Sequence, residues 1–283
     1  MKVYVFCDQE GTAGMVEQDD FGCKPEKWHE KDTWNAMQRR RIQELQTAEV
    51  KAACEGLLAG GATEIIINDA HGTGYNILFE QLTGPIQVIH GNPRHSEFWM
   101  ARLDSSFDAM CYIGGHPMEG TQKGILPHTK WLINDGQIML GEVGMAMSIA
   151  GYFGVPTVAV SGDKAVEKEV HSLVPEVEVA VVKEAFAPDI AIEHIPSNAR
   201  KMIYEACKRG LERRKEIPPY RIPGPPYRVA YGGKTAEGND YYQCVYKALI
   251  SAGLQYGKSW VRNRQREWVS SDELENLIGK IKM

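Results

Sequence analysis

The chain has 283 residues, 43% of them hydrophobic and 24% charged, with a formal net charge of −5. That is ordinary globular composition, long enough to bury a sizeable core without disulfides or structural metals, and it excludes a disordered or fibrous chain. The one dense basic run is "RRR" at 39 to 41, and no stretch approaches the roughly 18 apolar residues of a membrane helix, so neither nucleic acid nor membrane is an expected partner.

The first apolar run, Lys2 to Cys7, predicts a strand, entered at once and without a basic leader, as in a chain that is not exported. A helix is expected over about 36 to 59, where Ile42, Leu45, Ala48, Ala52 and Leu57 fall near helical spacing and Gly60-Gly61 stops it. The "RRR" run lies on this helix and reads as a solvated face or an oligomer contact rather than a phosphate site. Strands follow at Glu64 to Asn68, Ile86 to His90, Ala109 to Gly114 and Thr157 to Ser161. "WLINDGQIML" alternates around Asp135-Gly136 and predicts a hairpin that projects from the end of the sheet. Glu142 to Phe153 reads as a helix of small and apolar residues, closed by Gly154 and Pro156.

After a last strand-like run, Val177 to Val182, a polar helix is expected around Asn198 to Lys215, and then five prolines between 218 and 226 enforce extended chain. The alternation predicts an α/β fold, a mainly parallel sheet flanked by helices, over residues 1 to 195, with a second, smaller α+β domain over 196 to 283. The charged segment 15 to 35, with Trp28 and Trp34, reads as a lid or an oligomer contact. Six cysteines without a CxxC pair suit a reduced, cytoplasmic setting.

In "VFCDQEGTAG" the first strand delivers Asp8 and Glu10 into a glycine-containing turn. Residues i and i+2 of extended chain point the same way, so the two carboxylates converge if that geometry persists past Cys7. Alone, Asp8 reads as the start of a turn and Glu10 as a surface acid. Two other strands end in a similar way. "EIIINDAHGTG" leads into Asp69 and His71, and "AMCYIGGHPMEG" into His116. Open α/β sheets bind ligands at the carboxyl ends of their strands, and imidazoles with carboxylates are the ligand types of Zn²⁺. Glu142, in "GEVGMAM", adds a carboxylate at a helix N-terminus, where the helix dipole alone would also favour it. His128, in "ILPHTKW", is a third histidine available for proton transfer. Asp69 is a candidate to orient His71 from behind. Asp163 reads as the cap of the helix that begins near Lys164 or as a grip on a substrate amine, and Asn76 as a cap or a substrate contact. His29, His90, His95, His171 and His194 lack a partner acid at a convincing spacing and read as surface residues.

In "DQEGTAG", "NDAHG", "GGH", "PHT", "GEVG" and "VSGD", taken in order over about residues 1 to 165, the sequence resembles the zinc-dependent D-aminopeptidases linked to dipeptide-transport operons. The resemblance implies two zinc ions per chain, with other divalent transition metals admissible. Asp8 would bridge them, Glu10 and His71 completing one ligand set and His116 and Glu142 the other, with His128 as the catalytic histidine. It also implies an α/β domain with a smaller second domain, assembled as a ring-like homo-oligomer, a decamer.

The activity so implied is that of a cytoplasmic metallo-aminopeptidase that releases the N-terminal residue of short peptides, D-Ala-containing ones among them. A metal-bridging water would be the nucleophile, with His128 as general acid or base or as oxyanion stabiliser. The competing readings are another two-metal hydrolase, an amidase or phosphoesterase, and a metal-binding α/β scaffold without activity. The phosphoesterase lacks a GxxxxGK[ST] loop or a cluster of Arg near the motifs, and the scaffold leaves three acids and two histidines at one crevice unexplained.

Overall fold

A computed structural model describes residues 1–16, 28–72, 74–91, 99–187 and 190–256. The apolar start forms β1 (Lys2–Cys7), and the first helix, α1 (Trp28–Ala59), leads to β2 (Glu64–Asp69), β3 (Ile86–Ile89) and β4 (Ala109–Gly115). A short hairpin, β5 (Trp131–Ile133) and β6 (Ile138–Leu140), precedes α2 (Glu142–Tyr152), β7 (Thr157–Asp163) and α3 (Lys164–Leu173). Then come β8 (Glu178–Ala187), β9 (Ile190–Glu193), α4 (Pro196–Glu212), β10 (Tyr227–Tyr231), β11 (Lys234–Gly238) and α5 (Tyr241–Tyr256). The predicted strand over 177 to 182 therefore runs on to Ala187 and turns back as β9.

Seven of these strands form one sheet in the order β3-β2-β1-β4-β7-β8-β9. All neighbours are parallel except β9, which runs antiparallel to β8 along the edge. Helices α1 and α4 pack on each other and on the central strands, while α2 and α3 pack together on β4, β7 and β8. Covered in this way, β4 and β7 are buried along their whole length, which is why both read as unbroken apolar or small-residue runs. From β1 the strand order runs outward in both directions, to β2 on one side and to β4 on the other. The carboxyl ends of β1 and β4 therefore flank the switch point, where adjacent connections diverge and leave a crevice.

The chain divides into two compact units, the first Met1–Thr129 with Gly141–Arg221, the second Lys130–Leu140 with the described part of Ile222–Met283. The expected boundary at 195 is thus displaced to 221. Helix α4 belongs to the first unit because it buries Ala199, Ile203, Ala206, Cys207, Gly210 and Leu211 in its packing. The second unit is α+β, a four-stranded antiparallel sheet in the order β11-β10-β5-β6 with α5 packed on β10 and β11. The Asp135-Gly136 hairpin is real, but it is part of this second sheet rather than an extension of the first. It pairs with β10 through Val229 and Ala230, and Trp131 stacks on Tyr231 at 4.1 Å between ring centroids.

Of the cysteines, Cys7, Cys54, Cys111, Cys207 and Cys244 are free and buried. Among the described residues no helix is long and apolar enough to cross a membrane. Most of the segment read as a lid or oligomer contact, residues 17–27, lies outside the described residues, as does His95.

Candidate metal centre

Every residue of the centre belongs to the first unit. Pairing between β1 and β4 continues beyond the strand, with Asp8 N donating to Ile113 O at 2.8 Å and Gly11 N to Gly114 O at 2.8 Å. Extended geometry does not persist past Asp8, for the chain bends at Gln9 and turns at Glu10-Gly11, and it is this turn rather than strand alternation that brings the two carboxylates to one side. Two glycines make this close approach feasible. A Cβ on Gly11 would lie 2.1 Å from Gly115 O, and one on Gly114, whose φ is +81°, would lie 2.3 Å from Asp8 O. From α1, Gln46 Nε2 donates to Asp8 O at 2.7 Å and Gln46 Oε1 accepts from Gln9 Nε2 at 3.1 Å, which fixes the backbone beneath the carboxylates.

His71, just past β2, brings Nδ1 to 3.0 Å from Asp8 Oδ1 and 3.0 Å from Glu10 Oε2. On the other side, His116, just past β4, places Nε2 3.7 Å from Asp8 Oδ2 and 3.5 Å from Glu142 Oε1. Glu142 opens α2, and its Oε1 accepts from Thr129 Oγ1 at 2.7 Å. His128 Nε2 stands 3.8 Å from Glu10 Oε1 and 3.9 Å from Glu142 Oε1, its ring stacked on His116 at 3.8 Å and 11°. All six residues singled out in the sequence therefore meet at the sheet's switch point. Two groups, Asp8 with Glu10 and His71, and His116 with His128 and Glu142, each keep one ligand atom per residue within 4.8 Å. Either group could hold a cation, and the two oxygens of Asp8 face one imidazole from each.

The residues fit a metal on two independent grounds. First, His116 Nδ1 lies 3.0 Å from Pro117 O, and a carbonyl only accepts, so Nδ1 carries hydrogen and Nε2 is the free ligand atom. That Nε2 is buried with no hydrogen-bond partner and faces two carboxylates. A buried polar atom without a partner is uncommon in a native fold. Second, three carboxylates crowd into buried space without a lysine or arginine paired to them among the described residues. Two divalent ions would offset that charge, and their own charge would invert the local ionisation.

The same carboxylates bias the ionisation of the imidazoles beside them. Burial alone would lower the His116 imidazole, but the nearby Glu142, with Asp8 and Glu10 behind it, raises it to about 10. Burial likewise opposes charge on His71, yet the charge of Glu10 and the hydrogen bond with Asp8 lift it well above its ordinary value. Burial pushes the Asp8 carboxyl up, but the His71 hydrogen bond and the His116 charge hold it well below the usual carboxylate range. Burial and the Asp8 charge raise Glu10.

The sign of the pH dependence follows. A metal ligand must be a neutral imidazole, whereas the carboxylates beside His71 and His116 favour the protonated form, so a metal held there would expel protons. Zinc affinity is expected to rise with pH across the neutral range. Calorimetric titration of zinc in two buffers of different ionisation enthalpy should show net proton release at pH 7, and a pH-independent affinity would contradict this account.

Asp69 does not orient the His71 ring. Its Oδ2 accepts from Asn76 N at 2.6 Å and Ile77 N at 2.9 Å, and its Oδ1 from Asn76 Nδ2 at 2.7 Å. Asn76 Nδ2 also donates to His71 O at 2.7 Å, so this pair shapes the turn that presents His71 and neither residue caps a helix. Asp163 is the cap expected for α3, its Oδ1 accepting from Ala165 N and Val166 N at 2.9 and 2.8 Å. Its Oδ2 also holds Ile125 N at 2.7 Å, which ties down the loop that carries His128. In the same loop Lys123, Leu126 and Thr129 all adopt positive φ, a conformation that non-glycine residues keep where their surroundings impose it.

The sequence reading missed Tyr112 and Thr129. Tyr112 Oη donates to Asp8 Oδ2 at 2.9 Å from a strand where an aromatic reads as core. Thr129 follows His128 directly, and its adjacency was the one available signal.

A family model described as D-aminopeptidase matches residues 1–245. Among curated proteins, the D-aminopeptidase of Bacillus subtilis (strain 168) is 28% identical over 233 residues, covering 80% of this chain and 79% of that protein. Among solved structures, the chain is similar to the Zn-dependent D-aminopeptidase DppA from Bacillus subtilis, a self-compartmentalizing protease, with a TM-score of 0.76 at 23% identity. That likeness covers 90% of this chain and 97% of the other and bears out the fold, an α/β sheet domain with a smaller second domain.

Proposed function

The chain belongs to the D-aminopeptidase family and is a peptidase, and from that premise we propose that it is a two-zinc aminopeptidase that removes the N-terminal residue of short peptides, D-alanine among them. The observation that supports this best is the placement of Asp8, with Oδ1 3.0 Å from His71 and Oδ2 3.7 Å from His116, between two groups that can each take a cation. Glu10 and His71 would hold one zinc, His116 and Glu142 the other, and Asp8 both. Bound there, the two ions would lower the pKa of a water and polarise the scissile carbonyl.

The chain's own residues do the rest. Tyr112 fixes the orientation of Asp8, and Thr129 that of Glu142. His128 has Nδ1 2.8 Å from Leu126 O, so Nδ1 carries hydrogen and Nε2 is free to take up a proton and return it to the leaving amine. Once protonated, the same nitrogen is a donor for a developing oxyanion. Selection of D over L residues lies in the walls around the metals rather than in the metals themselves.

The solved relative is a self-compartmentalizing protease, and we extend self-assembly to this chain, as a ring-like decamer in the cytoplasm. Phe186, Ile190, Ile192 and Ile195 are exposed on and beside the outer hairpin β8–β9, an apolar surface of the kind that assembly covers. Hydrolysis of a panel of D- and L-aminoacyl dipeptides, paired with metal analysis, tests the function. Turnover of D-alanyl peptides with two zinc ions per chain is expected. Fewer than one transition metal per chain after zinc supplementation, with no turnover, would sink the reading.

A further inference from the structure

Lys183, in the middle of β8, is 1% exposed, although it is a lysine in the core of a sheet domain. Its ammonium meets no solvent. Nζ donates to Glu10 O at 2.6 Å, to Thr12 O at 2.8 Å and to Met15 O. A lysine has three donors and no acceptor, and here each donor has a backbone carbonyl from one short stretch of chain.

That stretch, Glu10 to Met15, is irregular and buried, so its carbonyls have no strand or helix ladder to satisfy them. Its amides are held with similar care. Ala13 N donates to Glu49 Oε1 at 2.9 Å and Gly14 N to Glu193 Oε1 at 3.1 Å. Burial lowers the Lys183 ammonium to about 8 and raises the Glu49 carboxyl to about 8, with Glu193 and Glu49 opposing the effect on the lysine only in part, so it is the three carbonyls that hold the buried group. An apolar side chain of the same length would satisfy none of the three carbonyls. The first residue of the stretch is Glu10, whose carboxylate reaches His71 at 3.0 Å.

We propose that Lys183 is a positioning residue for the metal centre: it clamps the backbone from Glu10 to Met15 so that the Glu10 carboxylate stays turned onto the His71 side. This rests on the two-zinc reading, and it places the role at one of the two sites. Lys183 touches no substrate and acts only through Glu10. The group of His116 and Glu142 draws no ligand from the clamped stretch, which borders it only through the Gly11–Gly114 backbone bond at 2.8 Å and the 3.8 Å approach of Glu10 Oε1 to His128, so its affinity is the one retained.

The experiment is a zinc titration of the full chain and of its Lys183→Met variant against a competing chelator, with kcat and KM measured alongside. The unmodified chain should bind two zinc ions. The folded variant should bind one of them at least about tenfold more weakly, the scale on which residues behind metal ligands act, and keep the other, with kcat lowered and KM nearly unchanged. Should Lys183→Met not fold, Lys183→Gln, whose two amide donors leave at least one of the three carbonyls unsatisfied and so loosen the clamp, is read in the same way. A folded variant with both zinc affinities within about twofold of the unmodified chain, and lowered only in melting temperature, would make Lys183 merely structural and overturn the proposal. If the unmodified chain takes up no zinc, the two-metal reading fails and the positioning role fails with it.

Discussion

Asp8→Asn is expected to weaken binding of both zinc ions by more than about 100-fold and to take peptide hydrolysis down with it. Asparagine keeps the size of the side chain and an oxygen for the Tyr112 hydroxyl, which lies 2.9 Å from Asp8 Oδ2. The fold should therefore survive, since a buried hydroxyl left without a partner would cost about 1–3 kcal/mol. What the substitution removes is the charge that both imidazoles face, at 3.0 Å for His71 and 3.7 Å for His116. Residues that merely support metal ligands are worth 10- to 100-fold in affinity, so a shared ligand sets a larger scale. Glu10→Gln and Glu142→Gln are the controls, because each carboxylate serves one group and each variant should lose a single zinc. Metal analysis after dialysis, on protein with an unchanged circular dichroism spectrum, decides the matter. An Asp8→Asn variant that loses only one ion would show that Asp8 is not shared.

The ligand set was legible because its chemistry is written at the ends of apolar runs. β1, β2 and β4 are recognisable as strands, and each ends in a carboxylate or histidine that the parallel register brings to the same edge. What could not be read is what the rest of the fold does to residues of ordinary appearance. Lys183 falls just past the run that reads as a strand, Val177 to Val182, where a lysine suggests a strand end facing water. Its burial depends on a loop 173 residues away in sequence. Tyr112 reads as one more core aromatic, and only pairing of β4 with β1 turns its hydroxyl onto Asp8. Asp69, two residues before His71, invites the role of orienting that ring, yet three hydrogen bonds from the Asn76 turn use both of its oxygens. The unit boundary was misplaced for a related reason. α4 is polar on one side, and the apolar side that docks it to the first unit is recognised only once α1 and β8 are there to receive it.

His128→Ala is expected to lower kcat by about 10²-fold or more while both zinc ions and KM are retained, the effect of losing a general acid or base. Of the six residues at the centre His128 is the most open, its side chain 38% exposed where His116 is fully buried, so it is the one that solvent and substrate can reach. Its Nε2 lies at the seam between the two groups, 3.8 Å from Glu10 and 3.9 Å from Glu142, rather than deep in either. The same geometry sets the rival outcome, since His128 also stands close enough to His116 and Glu142 to be a ligand. Metal content separates the two roles. Loss of one zinc with activity would make His128 a ligand. Two retained zinc ions, with turnover partly restored by imidazole in solution, would make it the proton carrier, for the space left by the ring opens to solvent and admits the small base. The pH dependence of the rescue adds a measure that a structural role would not move. With His128 as the proton carrier, rescue of the variant should follow the concentration of neutral imidazole as pH is varied, whereas a structural role would leave rescue absent at every pH. Unchanged turnover with both metals in place would refute the assignment and shift proton transfer to Glu10 or Glu142, the two carboxylates that face the same nitrogen.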